Sequence, residues 1–118
     1  MKEGSYNNLY RLPINHILEG GSGSWELINT TGNVPPPISH HNGQIFGDKL
    51  YIFGGLVRLD DSNENLYSLN LKTFQWKIET CKSSPKGRDD HAGCCSTDGD
   101  IMYIFGGYVE GGKSNDLW

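Results

Sequence analysis

The chain has 118 residues, 16 of them glycine and only one alanine, Ala92, a composition rich in turns and poor in helix formers that argues for an all-β fold. A net charge of −4 excludes a basic footprint for nucleic acid and a polybasic patch for membrane, and no apolar run approaches the ~18 residues that span a bilayer. Hydrophobic residues make up only 36%, yet three Trp, six Tyr and four Phe give one domain ample apolar area, with about two-thirds of its unfolded surface to bury.

The opening Met1–Asn8 lacks the apolar centre of a signal peptide. Cys81, Cys94 and Cys95 are odd in number, and the vicinal pair cannot easily bridge to itself, so reduced thiols and a cytoplasmic setting are expected. Asn29-Thr30-Thr31 fits a glycosylation acceptor, which in that setting reads as chance.

Asn8-Leu9-Tyr10 comes first as a short strand, and Leu18–Ser24, with three glycines, reads as a flexible loop before Trp25. A strand is expected around His41–Phe46, then a tight turn at Gly47-Asp48 and a second strand over Leu50–Phe53. Leu50 and Ile52 point to one face and Tyr51 and Phe53 to the other, so this strand is built to be covered on both sides. Gly54-Gly55 ends it, since glycine tolerates positive φ and close approach of other backbone. Leu56–Glu64 reads as a longer polar loop, Asn65–Leu71 as a third strand, Lys72–Phe74 as a turn, and Trp76 as the start of a fourth strand. The second unit repeats the order, with Ser96–Asp100 as its turn, and reaches Trp118 inside its third strand.

The period is the strongest signal. Tyr51-Ile-Phe-Gly-Gly55 recurs intact at Tyr103–Gly107, 52 residues on. Trp25 is matched by Trp76, Pro35 and His41 by Pro85 and His91, and Asn65-Leu66-Tyr67 by Asp116-Leu117-Trp118, each 50 or 51 residues apart. This order resembles the kelch repeat, and the resemblance covers residues 7–118. It implies an all-β, kelch-type β-propeller segment with four-stranded antiparallel blades, about two blades in all. The divisions expected are 1–24 for the last strands of a preceding blade and a Gly/Ser loop, 25–76 for a central repeat, and 77–118 for a second, truncated repeat. Two blades cannot close a ring, so the chain reads as a piece of a longer protein or as a unit that self-associates through open blade edges. Residues 8–12 and 115–118 are the same strand of the unit, which argues against simple end-to-end joining.

Trp25, His41, Gly54, Gly55, Tyr67, Trp76, His91, Gly106, Gly107 and Trp118 are the structural motif residues on this reading. His41 and His91 recur at one place, which suits a structural hydrogen bond to a neighbouring strand better than catalysis, while the unmatched His40 reads as solvated. His91, Cys94 and Cys95 have half the spacing of a zinc site, but a second pair is missing and the two cysteines alternate faces of a strand, so no metal and no cofactor are expected. Gly21–Ser24 is neither a nucleophile elbow nor a phosphate loop. The acid pairs Asp60-Asp61 and Asp89-Asp90 read as solvated charge.

Function is expected on the long connections, because alternate loops of an antiparallel blade share one face and long loops on a rigid scaffold carry binding residues. The partner-binding candidates are Arg58, Asp60, Asp61, Tyr108, Glu110 and Lys113 (with Glu64 beside them), and Arg88, which matches an arginine the kelch pattern often places before its His. For Arg88 a salt bridge to Asp89 or Asp90 competes with ligand binding; the first repeat has Ile38 in its place. The resemblance implies a protein-interaction scaffold with another protein as partner, no nucleic acid, no membrane and no catalysis. The alternatives are a kelch-fold metalloenzyme resembling galactose oxidase or the specifier proteins, or the substrate-selecting region of a longer enzyme.

Overall fold

The computed structural model describes residues 4–59 and 61–118. They are nearly all β, with 43% strand and 4% helix. The first strand, β1 (Leu9–Arg11), pairs antiparallel with β2 (Glu26–Ile28). Between them one helical turn, α1 (Asn15–Leu18), overlaps the start of the stretch read as a flexible loop. Then follow β3 (Thr31–Gly32), β4 (Asn42–Phe46), β5 (Lys49–Phe53), β6 (Leu56–Arg58), β7 (Asp61–Ser62), β8 (Leu66–Asn70) and β9 (Gln75–Glu79). The last five are β10 (Arg88–Asp89), β11 (Ala92–Cys95), β12 (Met102–Phe105), β13 (Tyr108–Val109) and β14 (Gly112–Lys113).

One complete blade is the antiparallel meander β4-β5-β8-β9. Gly47, at φ +57°, makes the two-residue turn between β4 and β5. Between β8 and β9 the Asn70 side chain accepts the amides of Lys72 and Thr73 at 2.8 and 3.0 Å, and Phe74 takes φ +56°. Register then sets the two faces. Leu50 opposes Leu69, Ile52 opposes Tyr67 and Leu69 opposes Trp76, so all five lie on one face. They join Ile38 in the core, against which Leu9 of β1 and Val57 pack. Tyr67 and Trp76 meet edge to face at 6.5 Å. On the opposite face Phe53 is buried and meets the His91 ring at 5.9 Å.

The pair β1-β2 forms the outer two strands of a preceding blade, and β11-β12 the inner two of a following one. Leu117 bridges Phe105, and Trp118 and Ile104 exchange two backbone hydrogen bonds of 3.0 Å, which starts that blade's third strand. The innermost strands of successive blades touch: the Gln44 amide donates to the Gly93 carbonyl at 3.0 Å. A repeat counted from Trp25 to Trp76 therefore straddles two sheets, whereas the central blade runs from Asn42 to Glu79. No helix among the described residues is long and apolar enough to cross a membrane.

The stretch read as a longer polar loop, and its repeat in the second unit, turn out otherwise. Residues 56–64 contain the ribbon β6-β7, and 108–115 contain the ribbon β13-β14. Leu56-Val57 and Tyr108-Val109 have the strand propensity, and the chain entering each first strand supplies the hydrogen-bond partners. Ser39 bridges Leu56 in the first case, and β10 pairs with β13 in the second.

Candidate interaction face

The glycine pairs mark where the lead-in to a first strand crosses the end of a second strand. Gly54, Gly55, Gly106 and Gly107 have φ of +72°, +90°, +68° and +92°. A Cβ on Gly55 would lie 2.7 Å from the Ser39 carbonyl oxygen, and one on Gly107 would lie 2.6 Å from that of Asp89. Each crossing holds a ribbon beside a lead-in: β6 beside Ser39 and β13 beside β10.

The ribbons present most of the expected binding residues. Arg58 and Asp61 pair across β6-β7 and are exposed, as is Leu59 at the tip; Asp60 lies outside the described residues. On the second ribbon Tyr108 opposes Lys113, whose ammonium sits 5.6 Å above the tyrosine ring. Tyr108, Glu110 and Lys113 are all exposed. Leu59 was missed by sequence reasoning because a lone leucine in a polar stretch carries no pattern.

Arg88 is placed elsewhere: its side chain is 1% exposed. The guanidinium donates to both oxygens of Asp116 at 2.7 and 3.2 Å and to the Gly106 carbonyl at 2.9 Å, while Nε donates to the Lys86 carbonyl at 3.2 Å. The ion pair is thus with Asp116, not with Asp89 or Asp90, and the arginine is enclosed by its own blade. Asp116 also accepts from the Ser114 hydroxyl and from the Trp118 indole at 2.8 Å. Arg88 first, then these two donors, hold its carboxyl well below the usual carboxylate range. Sequence reasoning missed this partner because Asp116 lies 28 residues from Arg88, with β11 to β14 between them.

His91 is also corrected. Both its ring nitrogens are buried with no hydrogen-bond partner among the described residues. Its ring meets Phe53 and lies against the Gly54 backbone, and its Cβ lies beside Gly107, so it acts as a packing group between blades. Burial, and then the nearby Arg88 charge, push its pKa below the ordinary value. His41, at the same place in the first repeat, is exposed. Cys81, Cys94 and Cys95 are exposed free thiols. Among the described residues no three His, Cys, Asp or Glu side chains come together to hold a metal.

The family model of the KLHDC2/KLHL20/DRC7 Kelch-repeats domain matches residues 2–118. The chain is similar to Kelch domain-containing protein 2 of Bos taurus, 31% identical over 87% of this chain and 25% of that protein. It is 33% identical to Host cell factor 1 of Homo sapiens over 87% of this chain and 5% of that protein. It is 30% identical to the Dynein alpha chain, flagellar outer arm, of Chlamydomonas reinhardtii over 80% of this chain and 2% of that protein. The chain thus spans a quarter or less of the length of these curated relatives. With the repeated Gly pair, the four-stranded blade and the family model in agreement, this chain belongs to the kelch-repeat family.

Proposed function

We propose that the chain is a protein-interaction segment of a kelch-type propeller, holding another protein on the face built by β6-β7 and β13-β14, with no catalysis of its own. The observation that carries this reading is the ribbon pair. Two hairpins are each tied to the lead-in of a first strand, and Arg58, Leu59, Asp61, Tyr108, Glu110 and Lys113 are exposed on them. Arginine and aromatic residues presented on a fixed scaffold are the groups that most often anchor interfaces. Nucleic acid and membrane are poor fits to a net charge of −4, and the free thiols suit a cytoplasmic protein.

The test is binding by a protein containing this segment, to a partner first isolated by affinity capture and then purified. Arg58→Ala and Tyr108→Ala are expected to weaken binding, by about 2 kcal/mol if either is a central anchor. Lys49→Ala, Lys72→Ala and Asp98→Ala lie at the opposite turns and are expected to leave it unchanged. Loss of binding in the second set alone would place the partner on the other face.

A further inference from the structure

Ser84-Pro85 is the only Ser-Pro or Thr-Pro pair in the sequence; the other prolines follow Leu12, Val34, Pro35 and Pro36. So short a motif means little until its surroundings are known. Ser84 lies on the link from β9 to β10, in a stretch without regular structure. A residue before proline is held in the extended region, and the proline itself has no amide hydrogen to satisfy. Exposure alternates accordingly: Ser84 and Lys86 are exposed, Pro85 is half-buried and Gly87 is buried. Ser84 and Lys86 therefore share the outer side of the link, and Lys82, two residues before Ser84, is exposed as well. The hydroxyls of Ser62, Ser68, Ser96 and Ser114 are all engaged in hydrogen bonds. That of Ser84 has no partner among the described residues, and neither lysine makes an ion pair among them.

The central blade shows what happens to this position when a fourth strand lies beside the link. Val34 and Pro35 stand there in the places of Ser84 and Pro85, 50 residues earlier. That link runs along β9 through β3, and the Asn33 amide donates to the Trp76 carbonyl at 3.0 Å. Val34, one residue on, is still 37% exposed. A complete blade thus holds the link one residue earlier and leaves the position before the proline open. Val34 has no hydroxyl, so only the second link offers an acceptor. Three residues after Ser84, a Cβ on Gly87 would lie 2.8 Å from the Ser62 carbonyl oxygen. The link therefore passes against the end of β7, within about 10 Å of Ser84 along the chain.

We propose that Ser84 is a phosphorylation site for a proline-directed protein kinase. In the transfer, Ser84 Oγ attacks the γ-phosphorus of magnesium-bound ATP and the bond from that phosphorus to the β-γ bridging oxygen breaks. ADP leaves, and the hydroxyl proton passes to a carboxylate of the kinase. The product carries a charge of about −1.5 to −2 between two exposed lysines, which can pair with it without being buried. The site needs ATP around it, so it rests on the cytoplasmic reading, but it does not depend on a partner at the ribbons.

The test is phosphate transfer to a purified protein containing this segment, using a mitogen-activated protein kinase and magnesium ATP. One phosphate per chain is expected, placed on Ser84 by mass spectrometry of proteolytic fragments. Ser84→Ala is expected to lose it, Ser83→Ala to keep it, and Pro85→Ala to lose most of the rate. A synthetic peptide of residues 79–90 supplies the rate of the same stretch without the fold, and the folded protein is expected to match it. A peptide that is labelled while the folded protein is not shows a closed link and overturns the proposal. Phosphate on another residue, or transfer indifferent to Pro85→Ala, overturns it as well. If Pro85→Ala fails to fold by circular dichroism, the same exchange in the peptide decides whether the proline is read.

Discussion

Arg88 and Asp116, 28 residues apart in sequence, meet through two charge-assisted hydrogen bonds of 2.7 and 3.2 Å, and the same guanidinium donates to the Gly106 carbonyl at 2.9 Å. The first repeat has no arginine there. Its equivalent carbonyl, that of Gly54, accepts from the buried Asn63 amide at 3.2 Å, and Ile38 fills the space. Two neighbouring blades thus satisfy one buried acceptor by different side chains.

That equivalence is testable. Arg88→Ile alone should cost about 2 kcal/mol, because the Gly106 carbonyl and Asp116 lose their charged donor. Adding Ser114→Asn and Asp116→Asn copies the Asn63/Asn65 arrangement of the first repeat and should recover most of that loss in urea unfolding. A triple variant no more stable than Arg88→Ile would show that the two solutions are not interchangeable.

Acidification should act in two stages. His91 has a lowered folded pKa, so the unfolded chain binds its proton first, and stability falls as pH drops from about 6.5 through the folded value. Asp116 also has a lowered folded pKa, so its contribution is present above 3.8 and is lost as pH falls below it. Urea midpoints measured from pH 7.5 to 3 should show both limbs. His91→Leu should reduce the first, leaving the part due to His41, and Asp116→Asn should reduce the second, leaving the parts due to Glu79 and Asp98. Because both His91 nitrogens lack a partner, His91→Leu should be neutral or stabilising at pH 7.5; a large loss there would mean the ring is bonded after all.

Glycine substitutions separate strain from contact. Gly47 has φ +57° and open space around it, so Gly47→Ala should cost about 1–2 kcal/mol from the backbone alone. Gly107→Ala adds a contact of 2.6 Å with the Asp89 carbonyl and 2.9 Å with the His91 Cβ, and should cost roughly 3 kcal/mol or more. Equal losses at the two sites would remove the close crossing as the reason for the second glycine.

Chelation should leave the thermal transition unchanged, since Cys94 and Cys95 are exposed, His91 is buried, and no three His, Cys, Asp or Glu side chains among the described residues come together. A lower midpoint in chelator, restored by zinc, would overturn the packing role given to His91.

The sequence made the blade legible because its signals are local and repeated. Tyr51–Gly55 and Tyr103–Gly107 carry strand propensity, face alternation and strand end within five residues, and the structure has β5 and β12 there. The ribbons were harder, since β6-β7 and β13-β14 are short and depend on partners such as Ser39 and Arg88 far along the chain. The site residues were least legible. Arg88 and Tyr108 look equally suitable as binding groups in a linear sequence, but only tertiary pairing decides that one is enclosed and the other exposed. His91 misled for a similar reason: a buried imidazole usually has a partner, and here its neighbours are an aromatic ring and glycine backbone.

Outer strands of sheets are where proteins join one another by mistake, because a row of unpaired amides and carbonyls will accept any extended chain. In the central blade β3 lies parallel along β9 and occupies that row with the link from the preceding blade. The Trp76 carbonyl sits so close beneath Gly32 that no side chain fits between them. A larger residue at 32 would therefore lift the link from the sheet and leave β9 as a template for fibrils, a fault that would show as aggregation on storage well before any loss of folded structure.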